Sequence, residues 1–234
     1  MTETELRNRV VREASTWLGV KEGSSRHKAL IDLYNKIEPL PAGYKMTVND
    51  PWCAAFVSAV GASCRLTDII FPECSCSRMI RLYQAAGRWV EDDAYIPAPG
   101  DLIMYGWKDS GTGDYTGAPD HVGIVQDCSD NMISVLEGNY RDAVGVRRIA
   151  VNARYIRGYA LPDYAKAAGG SIPWPDVPTE AWYLSDVKWA ARHGMVTGYP
   201  DGTFKPEEPM TRAEVCAVLR RLTEAQAAGI DLTV

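Results

Sequence analysis

Residues 121–140 read HVGIVQDCSDNMISVLEGNY, two apolar, β-branched runs (HVGIVQD and MISVLEG) separated by the polar turn formers of CSDN. Such a pattern predicts an antiparallel hairpin. With Cys128 to Asn131 as the turn, position 121 falls opposite positions 137 to 139. Side chains alternate along a strand, so Glu137 and Asn139 share the face that His121 presents. The hairpin thus sets a histidine beside a carboxylate and an amide. A general base needs such a neighbour to fix its tautomer.

Outward from this hairpin the same texture continues. DLIMYGW (101–107) precedes it, and GVRRIAV (145–151) and YIRGYAL (155–161) follow, punctuated by Gly, Pro, Asp and Asn. The first third of the chain is helical instead. Thr2 and Glu5 suit a capping box, followed by Leu6, Val10, Ala14 and Trp17 on one face, with Gly19 as the stop. Further helices are predicted over His27 to Ile37, from Pro51 through PWCAAFVSAVGA with Asp50 as N-cap, and over Ser77 to Ala86. Helices followed by meandering strands predict an α+β domain, with N-terminal helices on an antiparallel sheet of about five strands.

Cys53 then stands near the third position of a predicted helix. Unpaired backbone N–H groups and the positive helix end favour its thiolate there. Alone, it reads better as a small buried hydrophobe. In company with His121, Glu137 and Asn139 it becomes a candidate nucleophile. His27, without an acidic or cysteine partner at useful spacing, is expected at the surface. Trp52 and Tyr140 flank the cysteine and the amide, where they line a groove or fill the core.

Composition narrows the classes. The 234 residues are 46% hydrophobic and 24% charged, a globular composition. No stretch approaches the ~18 apolar residues of a membrane span. The net charge of −5 gives no basic face for nucleic acid. Six cysteines are too few and too irregular for a disulfide framework. Cys64, Cys74 and Cys76 lack a second pair at zinc spacing, so neither a metal nor a cofactor is expected, and these thiols are read as reduced bystanders. The N-terminal MTETELRNRVVREA has no apolar core of the kind a signal peptide needs, so synthesis in the cytoplasm is expected.

Near Lys166 the texture changes to KAAGGSIPWP, a small-residue, Pro-broken linker. The expected division is 1–165 for the first domain, 166–172 for the linker and 173–234 for a small helical unit. Two helices, Leu184–His193 and Arg212–Ala225, flank GMVTGYPDGTFKPEEPM, and Thr211 with Glu214 forms a second capping box. About 60 residues make a thin core.

PWCAAFVSAV, PAPGDLIMYGW, DHVGIVQ, VLEGNY and IRGYALPDY, taken in this order over about Arg12 to Tyr164, resemble the CHAP family of peptidoglycan amidases and endopeptidases. That family belongs to the papain-like NlpC/P60 superfamily. The resemblance implies Cys53 as nucleophile, His121 as general base, and Glu137 and Asn139 as the residues that orient the imidazole. The Cys53 backbone N–H, with Asn49 as a weaker candidate, would serve the oxyanion. Some CHAP enzymes carry an Asp-rich calcium loop before the cysteine. This chain has only Asn49 and Asp50 there, and no metal is expected. The stretch from Pro173 to Leu222 (Pro-Asp-Val, a Trp-containing helix, GYPDGTFKP, TRAE) is similar to one S-layer homology repeat. It implies binding of a secondary cell-wall polysaccharide, with Asp176 and Arg212 as binding residues.

The expected protein is therefore a cysteine peptidoglycan hydrolase of endolysin type, of phage or prophage origin. N-acetylmuramoyl-L-alanine amidase is the leading activity, and cross-bridge or stem-peptide endopeptidase the alternative. A non-catalytic wall-binding protein is the reading from another class. S-layer homology repeats usually come in threes, and this chain shows one. Its apolar stripes (Val187, Ala190, Ala191; Val215, Val218, Leu222) suggest homo-oligomers, with trimers as the expected form.

Overall fold

The computed structural model describes residues 2–110, 115–168, 174–178, 180–192 and 195–227. Two compact units are formed, Thr4–Tyr164 and a smaller one from Ala165 onward. Of the linker expected over 166–172, positions 169–172 lie outside the described residues, and the helix α5 (Tyr164–Ala168) covers its beginning. His193, the expected end of the first C-terminal helix, also lies outside them.

The first unit opens with α1 (Glu3–Ser15), which buries Leu6, Val10 and Ala14 at the predicted spacing, and α2 (Ser25–Asn35), capped by Ser24. Helix α3 (Cys53–Ser63) begins two residues later than the sequence suggests. Asp50 does not cap it. The Asp50 carboxylate accepts from the Thr47 N–H and hydroxyl and from the Tyr44 hydroxyl, closing its own turn. The Trp52 carbonyl accepts the first helical bond, from the Phe56 N–H. Cys53 is therefore the first helical residue, and its N–H and those of Ala54 and Ala55 have no intrahelical acceptor. Helix α4 (Cys76–Ala85) is capped by Ser75 and stopped by Gly87 at positive φ.

The strands β1 (Trp89–Val90), β2 (Leu102–Tyr105), β3 (His121–Ser129), β4 (Met132–Glu137), β5 (Gly145–Ala150) and β6 (Ile156–Ala160) form one antiparallel sheet in the order β1-β6-β2-β3-β4-β5. The added strand, β1, has two residues, too short for an alternating pattern to show. The turn of the β3–β4 hairpin is tighter than expected. Only Asp130 and Asn131 are outside the strands, both at positive φ, the pair that a two-residue hairpin turn needs. A bulge between Val125 and Asp127 then shifts the register by one, so that Ile124 pairs Leu136. Continued one step, this register sets Gly123 opposite Glu137, and beyond them His121 opposite Asn139. One face of the sheet carries the core of Ile103, Tyr105, Val125, Ile133, Val135, Ile156 and Tyr159.

The connection from β4 to β5 is held from both sides. Val144 exchanges backbone bonds with Gly19 and Val20, and the Glu22 N–H donates to Asp142. On the other side Gly138 lies flush against the cysteine helix. A Cβ there would sit 2.4 Å from Phe56 Cβ and 3.0 Å from the Trp52 ring.

The second unit holds α6 (Leu184–Arg192) and α7 (Arg212–Ala227). Its core is Trp174, Val177 and Val187, with Phe204 stacked on Trp174 at 4.6 Å. Thr211 and Glu214 exchange the reciprocal bonds of a capping box. Val215 and Leu219 of α7 are exposed.

Substituting Gly138→Ala should destabilise the first unit by roughly 1–3 kcal/mol, because the obstructing Phe56 Cβ is fixed to its backbone. Urea unfolding of the two forms measures this. An unchanged midpoint would mean that the sheet end and helix α3 are not in this contact.

Candidate active site

Glu137 is the last residue of β4 and is fully buried. Directly across from it on either side stand glycines, Gly123 in the β3 register and Gly145 on β5. A Cβ at Gly123 would come within 2.8 Å of Glu137 Cγ. The carboxylate thus has room to reach both diagonal neighbours. One oxygen lies 3.0 Å from His121 Nε2, and the other accepts from Arg147 Nε at 2.7 Å. Diagonal positions on one sheet face suit long side chains.

The electrostatics follow from this bracket. Burial alone would raise the Glu137 carboxyl, but the bonds from His121 and Arg147 outweigh it and hold the group below the ordinary carboxylate range. Burial would likewise lower His121. Cys53 and Glu137 together overcome it and push the imidazole up to about 9. Cys53 is lowered well below the usual thiol value, first by a hydrogen bond from Cys76, against burial, and then by His121. With Nε2 occupied by Glu137, the ring nitrogen left for the cysteine is Nδ1. A cysteine at a helix start, a histidine and a buried carboxylate are the residue types that can serve as nucleophile, acid–base group and orienting group.

A groove of about 350 Å³ fronts His121, lined by Trp107, Asn139, Tyr140, Arg141 and Arg147. Arg147 stacks on three of the site's aromatic rings, Tyr105, Trp107 and Tyr140, each about 5 Å from its guanidinium. Asn139, Arg141 and Asp142 all adopt positive φ in the connection beyond β4. Such clusters of strained backbone favour functional loops.

The expected residues are distributed as follows. Cys53, His121 and Glu137 come together. Asn139 shares the groove but makes no bond to the His121 ring, whose Nε2 goes to Glu137. Asn49 is an exposed turn residue whose N–H donates to the Thr47 hydroxyl. Trp52 is in the core, donating from Nε1 to Glu22, while Tyr140 lines the groove. His27, expected at the surface, is fully buried. Its ring packs at a tilt against Trp52 and its Nδ1 accepts from the Gly23 N–H, a partnership that no acidic or cysteine spacing would reveal.

Two neighbours escaped the sequence reading. Arg147 was legible in principle, because pairing Glu137 with Gly145 places position 147 on the same face. Cys76, on α4, lies 3.8 Å from Cys53 sulfur to sulfur, a contact made by packing and not by sequence spacing.

In the second unit Asp176 closes a loop, its carboxylate accepting from the Phe204 and Lys205 N–H groups. Arg212 is the exposed first residue of α7. A separate cavity of about 340 Å³ is lined by Tyr199, Lys205, Met210, Glu214 and Arg221 among others, and neither Asp176 nor Arg212 is among its lining residues.

Comparison with known proteins agrees with this division. Residues 43–139 match the CHAP domain and residues 175–216 the S-layer homology (SLH) domain, so the chain carries a CHAP domain followed by an SLH domain. Cell surface glycoprotein 1 of Acetivibrio thermocellus is 39% identical over 57 residues, 24% of this chain and 2% of that protein. The S-layer protein of Bacillus thuringiensis subsp. finitimus is 32% identical over 72 residues, 31% of this chain and 8% of that protein. The cellulosome-anchoring protein of A. thermocellus is 35% identical over 54 residues, 23% of this chain and 12% of that protein. The chain thus spans at most 12% of the length of these curated relatives. No solved structure matches it. The CHAP match implies peptidoglycan hydrolase activity, and the SLH match implies association with the cell wall.

Replacing Glu137 by Gln should destabilise the first unit by about 3–5 kcal/mol, since it removes the one anion that serves both Arg147 and His121. The raised His121 pKa also carries a sign. Its stabilising share is complete below about 6.5 and is lost as the pH climbs through about 9. The lowered Cys53 releases a proton on folding where His121 takes one up, so the direct readout is the NMR titration of the His121 ring, whose midpoint should be lower in the Gln variant than in the wild type. Equal midpoints would remove Glu137 from the account of the His121 shift.

Proposed function

We propose that the CHAP unit cleaves an amide bond of peptidoglycan by cysteine nucleophilic catalysis, acting as an N-acetylmuramoyl-L-alanine amidase, while the SLH unit holds the enzyme on a secondary cell-wall polysaccharide. The observation that carries the reading is Cys53 at a helix start beside a histidine whose far nitrogen is bonded to a buried carboxylate.

The chemistry follows from these groups. Cys53 Sγ, as thiolate, attacks the carbonyl carbon of the scissile amide. The negative charge that develops on the carbonyl oxygen is met by the free N–H groups of the first turn of α3, including that of Cys53. His121, as imidazolium, delivers its proton to the departing amine, and the carbonyl carbon remains on sulfur as a thioester. His121, now neutral, takes a proton from water. The resulting hydroxide attacks the thioester, and the acid leaves as the thiolate–imidazolium pair is restored. Glu137 stays ionised throughout and orients the ring. Asn139 borders the groove in which the substrate lies. Asp176 and Arg212 are proposed to act in polysaccharide binding, Arg212 directly and Asp176 through the loop it closes.

The exposed Val215 and Leu219 support association of the SLH units, with trimers as the proposed form. Light scattering of the full chain should give a trimer mass that falls to monomer in Leu219→Glu. A monomeric wild type rejects this part.

Catalysis is tested by clearing of a cell-wall suspension. Wild type should clear it and Cys53→Ala should not; clearing by both would remove Cys53 as the nucleophile, and clearing by neither would favour a non-catalytic wall-binding protein. Mass spectrometry of the digest then identifies the bond. New L-alanine N-termini on released stem peptides, with the glycan left intact, are expected, and opened cross-links or shortened stem peptides would make the enzyme an endopeptidase.

A further inference from the structure

Two sulfur atoms meet at the start of α3. Cys53 Sγ and Cys76 Sγ are 3.8 Å apart, and both residues are buried. Cys76 is the first residue of α4, brought there by a segment with little freedom. Ser58, on α3, accepts from the Glu73 N–H and donates to the Glu73 carbonyl, fixing the chain three residues before Cys76. Arg78 holds the Glu73 carboxylate from the first turn of α4, and the Tyr83 hydroxyl ties the last turn of that helix to the Ile69 carbonyl. The contact between the sulfurs is therefore set by the same scaffold that sets the nucleophile.

At this separation one sulfur can donate to the other, and the pair must decide which keeps its proton. The groups that bear on each are different. Cys53 is faced by Cys76 from α4, by His121 from β3 and by the Ala54 N–H of its own first turn. Cys76 is faced by Cys53, by its own backbone N–H at the start of α4 and by the carboxylate of Asp120. Both thiols thus meet a helix start, and what separates them is the cation His121 on the Cys53 side and the carboxylate of Asp120 on the Cys76 side. The anion belongs on Cys53 and the proton on Cys76.

We propose that Cys76 is a positioning residue for the nucleophile: its thiol donates a hydrogen bond to Cys53 Sγ and holds that sulfur as a thiolate at the helix start. The proposal rests on Cys53 being the nucleophile. Cys76 keeps its proton through the cycle. Its bond weakens while Cys53 carries the acyl group, since a thioester sulfur is a poorer acceptor than a thiolate, and re-forms when the thiolate is released. The directions of both groups agree with this division, Cys53 lowered by its neighbour and Cys76 raised well above an ordinary thiol.

The test is the pH dependence of Cys53 alkylation by iodoacetamide in the full chain. It is followed by mass spectrometry of the Cys53 peptide, with a phosphine reductant keeping both residues as thiols. Cys76→Ala should move the midpoint up by about one pH unit, which is about a tenfold slower reaction below the wild-type midpoint. Cys76→Ser, which restores a donor, should recover most of the shift. A Cys76→Ala profile that superposes on wild type overturns the proposal. Should the Ala variant fail to fold, the Ser variant decides, because a midpoint raised above wild type despite the hydroxyl overturns it equally. The wall-clearing control separates the two layers. If Cys53→Ala still clears, the nucleophile reading fails; if it does not clear and Cys76→Ala alkylates as wild type, this inference alone fails.

Discussion

Burying an ionised carboxylate costs several kcal/mol unless charged partners and good geometry offset it. Glu137 meets that condition twice, through His121 on one neighbouring strand and Arg147 on the other. Much of the first unit serves this arrangement. Glycines stand directly opposite Glu137 on both sides, so that diagonal partners can reach it. The bulge in β3 places His121 at the right step of the ladder. Arg147 is itself held among Tyr105, Trp107 and Tyr140. A carboxylate held in this way fixes the far nitrogen of the imidazole and leaves the near one for the thiol.

The second constraint is the approach of a helix start to a sheet end. Gly138 permits the backbone beyond Glu137 to lie against Phe56 and Trp52, and the Gly19–Glu22 segment clamps the same connection from outside. Cys53 is carried on α3 and His121 on β3, so neither side chain needs a long reach. The connection that borders the groove holds three residues at positive φ, Asn139, Arg141 and Asp142. In the proposed function the SLH unit serves to hold the chain at the cell wall.

How much of this was legible follows from the range of each interaction. The hairpin announced itself, because β-branched runs around turn formers pair locally, and the pairing alone brought His121 to Glu137. The cysteine helix was equally plain from its apolar run and its proline. What failed depended on choices between competing local bonds or on distant packing. Asp50 was read as a helix cap, yet Thr47 and Tyr44 offered it three donors within its own turn. His27 was read as exposed, because the ring of Trp52 that covers it is 25 positions away in the sequence. The contact of Cys76 with Cys53 was not visible either, since nothing local links the two. In the second unit the capping box of Thr211 and Glu214 was visible from spacing. The two backbone bonds that Asp176 accepts were not, because they come from a loop far along the chain.

The central claim is that Cys53 and His121 form an ion pair, sustained by the buried carboxylate of Glu137. The most direct measurement is the NMR titration of the His121 ring in the wild type and in Cys53→Ala. The account predicts a wild-type midpoint near 9, falling toward the ordinary value of about 6.5 when the cysteine is removed. A wild-type midpoint at or below 6.5, unmoved by loss of Cys53, would contradict it.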